Sequence, residues 1–139
     1  MREAYLGLDV GTQGLKAVAV GEDGTVLWNR SYEYPSTHPY VGWVEQNPLD
    51  WVLALNRALA EAEALPVAWK GVGVTGQMHT LVVSDESGSP LRSAILWSDQ
   101  RTEEYVDRLT EKFGMDRLLD MTGNAPLTNY TLLRLLMDS

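Results

Sequence analysis

An apolar run from Ala4 ends at Asp9-Val10-Gly11-Thr12-Gln13-Gly14, and a second runs from Leu15 to Val20 with Lys16 inserted. Apolar runs this short, joined through a glycine-bearing turn, read as two strands, so the chain doubles back almost at once. A second turn at Glu22-Asp23-Gly24 leads into Val26 to Tyr34, whose alternation puts Val26, Trp28, Arg30, Tyr32 and Tyr34 on one side. Three strands with links this short form an antiparallel meander, and any fold for this chain has to be built on that sheet.

Pro35 to Asn47 contains two prolines and a glycine and reads as a loop, ordered by packing of Tyr40 and Trp43. Asn47-Pro48 then starts a helix, with Asn47 as cap, proline at the first helical position and Asp50 in the first turn. Val52, Leu55, Leu59 and Ala62 form its apolar stripe, and Pro66 ends it. A short strand from Lys70 to Thr75 follows, so the order strand, helix, strand predicts a crossover into a parallel neighbour. Leu81 to Ser84 and Leu91 to Leu96 flank a Ser-Gly-Ser-Pro turn and predict another hairpin. Beyond Trp97 the spacing becomes helical, with Ser98 or Asp99 as cap, Val106, Leu109 and Phe113 on one face, and Gly114 as the stop. A short helix over 116–121 closes at Gly123. Thr131 to Met137 opens a third that reaches Asp138-Ser139 with no closing signal, as though the chain were cut.

At 139 residues and 45% hydrophobic composition, the chain suits one globular domain that needs no disulfides. It has no cysteine, which removes thiolate metal sites and cysteine nucleophiles. No secretory signal opens it, and no apolar stretch approaches the ~18 residues of a membrane span, so the expectation is a cytoplasmic protein with no membrane partner. A net charge of −8 argues against nucleic acid as a partner. It does not argue against a small anion held by a few backbone N–H groups.

Gly71-Val72-Gly73-Val74-Thr75-Gly76 matches a dinucleotide fingerprint, but these glycines lie within a strand and no helix follows, so close strand packing is the better reading. The sequons at Asn29 and Asn129 carry no weight without a secretory signal. The turn after Asp9 has more chemical content. Consecutive N–H groups and two glycines suit a phosphate, Asp9 suits Mg²⁺, which takes few carboxylates, and Lys16 adds a point charge; an ordinary tight turn with a surface aspartate is the plain alternative. Gln77-Met78-His79-Thr80 follows a strand at its C-terminal end, where ligands bind in α/β sheets and where an amide and an imidazole can bond sugar hydroxyls. Trp97-Ser98-Asp99-Gln100-Arg101 also ends a strand, and its plain alternative is a helix cap with a surface ion pair. No Ser-His-Asp order is evident, so hydrolysis has little support.

Four stretches taken in order, Leu8 to Thr12, Gly42 to Pro48, Gly76 to His79 and Ala94 to Thr102, resemble the N-terminal part of the FGGY carbohydrate kinases. The resemblance covers essentially the whole chain, residues 1–139, as part of the first kinase domain. The Gln77-Met78-His79 segment is most similar to the xylulokinase branch. The resemblance implies an α/β, ribonuclease-H-like (actin-like ATPase) half-domain, a mixed sheet of three antiparallel strands plus parallel strands with flanking helices. It also implies ATP and Mg²⁺ as cofactors, a ketose such as D-xylulose as substrate, and a homodimer for the complete form. By the same resemblance Asp9 organises Mg²⁺, while Gly11, Thr12, Gln13 and Lys16 face the nucleotide phosphates. Gln77, Met78, His79, Trp97, Asp99 and Arg101 fall at the sugar pocket. Gln13 departs from the family's usual hydroxyl residue, which leaves the backbone role but not a side-chain contact. The catalytic base of the family lies beyond Ser139, so this chain alone is expected to be inactive. Two other readings are a kinase for another ketose or a polyol (ribulose, glycerol, gluconate) and a non-catalytic actin-like binding module, against which the intact hairpin argues.

Overall fold

A computed structural model describes residues 1–137; the expected open end at Asp138-Ser139 lies outside the described residues. The elements run β1 (Arg2–Val10), β2 (Gly14–Gly21), β3 (Val26–Glu33), β4 (Glu45–Gln46), α1 (Pro48–Glu63), β5 (Val67–Gly76), β6 (Ala94–Ile95), α2 (Glu103–Phe113), α3 (Met115–Thr122) and α4 (Thr131–Met137). Length alone argued for one domain, but the chain divides into two compact units. The first is Met1–Pro35 with Asn47–Gln77, and the second is Ser36–Gln46 with the chain from Met78 on. The second unit recruits 36–46 because the strand bonds of that segment go to residues near 95.

In the first unit the sheet order is β3-β2-β1-β5, antiparallel except for the parallel pair β1 and β5. The meander and the crossover helix are as the sequence predicts. Alternation along β1 buries Ala4, Leu6 and Leu8 on one face, where Leu6 and Leu8 cluster with Leu15 and Ala17 of β2 and the alanines of α1. The stripe of α1 differs from expectation. Its buried residues are Pro48, Ala54, Ala58 and Ala62, with Trp51 and Leu55 packed beside the core, so Leu55 and Ala62 of the expected stripe face inward whereas Val52 and Leu59 are exposed. Both sets repeat at helical spacing, so periodicity identifies the helix but not its phase, and the methyl-sized alanine face lets the helix lie close to the sheet. Asn47 caps the helix as expected, accepting from the Leu49 N–H at 3.1 Å.

On β3 a register shift at the Ala19/Val20 pairing leaves Val26 exposed, so the predicted five-residue face is shortened to Trp28 and Tyr32 within the strand. Tyr34 lies just past the end of β3 but is still buried. β5 begins at Val67, directly after Pro66, and contains all three glycines of the apparent fingerprint. A Cβ at Gly76 would meet the Val10 carbonyl at 3.1 Å and one at Gly71 the Tyr5 ring at 3.5 Å, whereas Gly73 faces open space, so close packing explains only part of the motif.

In the second unit the predicted hairpin over 81–96 is reduced to isolated bridges, Leu81 with Ile95 and Ser84 with Pro90. The strand partner of Ala94–Ile95 is instead Glu45–Gln46, inside the segment expected to be only loop. The helix after Trp97 starts at Glu103 behind Thr102 rather than at Ser98 or Asp99, because Asp99 spends its carboxylate on Arg101 and Val44. Gly114 and Gly123, both at positive φ, end α2 and α3 as predicted. No helix among the described residues is long and apolar enough to cross a membrane.

Candidate functional site

The first set of site residues surrounds the turn between β1 and β2. The Gly11 N–H donates to the Gly14 carbonyl at 3.1 Å and closes the turn, so this donor is already engaged within it. Asp9 is in register with Lys16 on β2 and Thr75 on β5, which places all three on the sheet face opposite α1. There they line one end of an open trough of about 690 Å³ whose floor includes Gly7, Val18 and Gly73. The space beside Asp9 exists because residue 11 has no side chain: a Cβ there would stand 3.2 Å from the Gly14 oxygen and 3.8 Å from Asp9 Oδ2. A single carboxylate with open space beside it suits Mg²⁺, which keeps waters and takes phosphate oxygens. It does not suit a closed protein cage, and the described residues contain no group of three His, Asp or Glu side chains that would make one.

Two contacts support this turn from behind. The Gln77 N–H donates to the Val10 carbonyl at 3.0 Å, and the Tyr34 hydroxyl donates to the Gly11 carbonyl. Burial, with a smaller contribution from the Asp9 charge, pushes the Tyr34 hydroxyl up to about 12, so it stays a protonated donor across the working pH range. Tyr34 is a residue that sequence reasoning placed only on a strand face. Tyr34→Phe is expected to cost about 1 kcal/mol and to accelerate hydrogen exchange at the amides of residues 11–14 while the amides of α1 keep their protection. Native-state exchange followed by NMR checks this.

The second set lies in the second unit. His79 holds a φ of 61°, rare for a residue with a Cβ, and its ring meets Tyr130 edge-on at 5.2 Å. Met78 is 75% exposed and Trp97 46% exposed, so both present apolar surface to solvent. Through the Leu81–Ile95 bridge, the chain that follows His79 and the chain that precedes Trp97 run side by side.

Asp99 and Arg101 are a different case. Their side chains are 0% and 1% exposed, and each is committed to the other through bonds of 2.7 and 2.8 Å. Asp99 also accepts from the Val44 N–H at 2.6 Å, and Arg101 pairs with Glu45 at 2.8 Å while lying 3.6 Å over the Trp43 ring. Burial alone would raise the Asp99 pKa, but the Arg101 guanidinium and the two N–H donors overcome it and hold the carboxyl below the usual carboxylate range. These enclosed groups tie the segment at 43–45 to the chain that follows Trp97. Glu45, which the sequence reading did not single out, sits in the Gly42-to-Pro48 stretch and completes the cluster.

A meander with a parallel strand added through a crossover helix, and a carboxylate at the first strand's end beside a tight turn, define the ribonuclease-H-like, actin-like ATPase class. Residues 4–136 match the N-terminal domain of the FGGY family of carbohydrate kinases, and the chain belongs to that family. It is 43% identical over 135 residues to a xylulose kinase of Bacillus subtilis (strain 168), covering 94% of this chain and 27% of that protein. To a glycerol kinase of Thermococcus gammatolerans it is 35% identical, covering 91% and 26%. A xyloylose kinase from Brucella ovis has a crystal structure that superposes with a TM-score of 0.86 at 31% identity, covering 96% of this chain and 28% of that one. The chain thus spans about 27% of the length of the relatives it matches.

Proposed function

We propose that this chain is the phosphate- and sugar-facing N-terminal part of an ATP-dependent ketose kinase that converts D-xylulose to D-xylulose 5-phosphate. The observation that carries the reading is the 43% identity to a xylulose kinase over 135 residues; the Asp9 turn of the first unit and the exposed Met78 and Trp97 of the second are each compatible with it. In the reaction the sugar hydroxyl forms a bond to the γ-phosphorus, the bond from that phosphorus to ADP breaks, and the hydroxyl proton passes to a base. Asp9 would hold Mg²⁺, which would supply neutralisation of charge on the phosphate oxygens. Lys16 adds a cation on the same sheet face. Met78 and Trp97 pack against the carbon face of the sugar, His79 bonds a hydroxyl, and Asp99 with Arg101 positions Trp97. The chain spans about 27% of the length of its relatives, and by itself it is expected to turn over no sugar.

The test is a coupled assay of ADP release by the complete kinase with D-xylulose, D-ribulose, glycerol and gluconate. D-xylulose is expected to give the highest kcat/KM, and Asp9→Asn to lower kcat by about a hundredfold or more. A preference for glycerol would favour the second reading, a polyol kinase, which the 35% identity to a glycerol kinase supports. No turnover with any of the four would refute both.

A further inference from the structure

α4 is a helix of seven residues, Thr131–Met137, in which one arginine sits among leucines. Arg134 is nonetheless fully buried. A buried guanidinium is costly unless its N–H groups are bonded, and here Nη1 and Nη2 are bonded to backbone carbonyls while Nε is buried without a hydrogen-bond partner. Nη1 donates to the His79 carbonyl and, at 3.0 Å, to the Ile95 carbonyl; Nη2 donates to the Leu96 carbonyl at 2.5 Å. Burial opposes the charge, the Asp99 carboxylate supports it and Arg101 opposes it, which leaves the guanidinium less basic than usual.

The three carbonyls come from two segments that are distant in sequence. One is the turn at His79, the single described non-glycine residue at positive φ. The other is the pair of residues immediately before Trp97. The Ile95 carbonyl already accepts from Leu81 at 2.9 Å and the Leu96 carbonyl from Asp99 at 3.0 Å, so Arg134 adds a second donor to carbonyls that local structure had satisfied. A side chain needed only to fill the core of a leucine-rich helix would be another leucine. A planar fork with several fixed N–H directions can instead hold two chain segments at a set spacing.

We propose that Arg134 is a positioning residue: its guanidinium fixes the His79 turn against the strand end before Trp97 and so sets the spacing of the side chains that receive the sugar. The proposal rests on the sugar-binding reading above, and it predicts a defect in sugar affinity rather than in nucleotide affinity. An ammonium is a point donor on a flexible stem and does not reproduce the fork.

Arg134→Lys and Arg134→Gln, prepared in the complete kinase, are expected to raise KM for D-xylulose about tenfold while KM for ATP stays within twofold. Leu133→Ala, which removes buried volume from the same helix without touching the guanidinium, is expected to lower the melting temperature and leave both KM values unchanged. That control separates positioning from stability, because loss of folded enzyme lowers the apparent kcat and not KM. In the ¹H–¹⁵N spectrum of the same Arg134→Lys protein, the amides of His79, Thr80, Leu96 and Trp97 are expected to shift while those of β1 and β2 stay in place. An unchanged KM for D-xylulose with unshifted amides overturns the proposal, as does a KM rise equal to that of Leu133→Ala. If the wild-type kinase turns over none of the sugars, the sugar reading fails by itself; the amide shifts then decide whether Arg134 sets this geometry.

Discussion

Asp99→Ala is expected to destabilise the protein by about 3–5 kcal/mol, the cost of leaving a buried guanidinium without its partner. The substitution removes a bidentate pair with Arg101 and the acceptor for the Val44 and Arg101 N–H groups in one step. Glu45 and the Trp43 ring remain on Arg101 but do not occupy the fork that faced Asp99. Urea denaturation at pH 7 checks the size. A loss below about 1 kcal/mol, the value of an exposed pair, would mean that water enters the cluster readily. The dependence on pH has a definite sign. The folded pKa of Asp99 lies below its unfolded value, so its stabilisation is fully present above about pH 4 and is lost as pH falls through the folded value. The gap in stability between wild type and Asp99→Asn should therefore be constant from pH 8 to 5 and narrow below about pH 4. A gap that narrows instead near pH 6 would point to a different titrating group.

Gly14→Ala is expected to cost about 3 kcal/mol, the upper end for overpacking, although it adds only a methyl group. Its Cβ would lie 2.6 Å from the Tyr32 carbonyl oxygen and 3.0 Å from the Glu33 Cα, and backbone atoms cannot swing aside as a side-chain tip can. Gly14 pairs with Glu33 at the end of the β2–β3 ladder, so the strand must move there. Tyr34 follows immediately and bonds the Gly11 carbonyl, so the displacement reaches the turn after Asp9. Gly73→Ala is the internal control: nothing lies within 4 Å of its Cβ, and the change should stay within about 0.5 kcal/mol. Thermal melts of the two variants side by side give the answer. Equal effects would show that the β2–β3 end is slack enough to absorb a methyl group.

Much of the frame was legible because it is local. Turns at Gly11-Thr12-Gln13-Gly14 and Gly24, the Asn47-Pro48 helix start and the glycine stops at 114 and 123 are each set by conformational preferences within a few residues, and each is where the sequence put it. The residues that misled are those whose partners are far away. Val52 and Ala54 sit on stripes of the same period, and only the sheet beneath decides which stripe is buried. Ala94-Ile95 has strand character from its own residues, but its partner is Glu45-Gln46 rather than the near run at 81–84. Asp99 reads as a helix cap until Val44, 55 residues away, is brought to it.

The meander, the crossover helix and its following strand, the place of the Asp9 turn and the family motifs were thus fixed by the sequence alone, since short-range sterics and period-two or helical patterning leave few alternatives. Tertiary structure decided which charges are enclosed and which side chains meet solvent. Arg134 and Arg101 become internal ties, and Met78 and Trp97 keep exposed surface. The reason is that burial is a property of contacts between distant segments, and a charged side chain carries no local mark of whether carbonyls or carboxylates will be waiting for it.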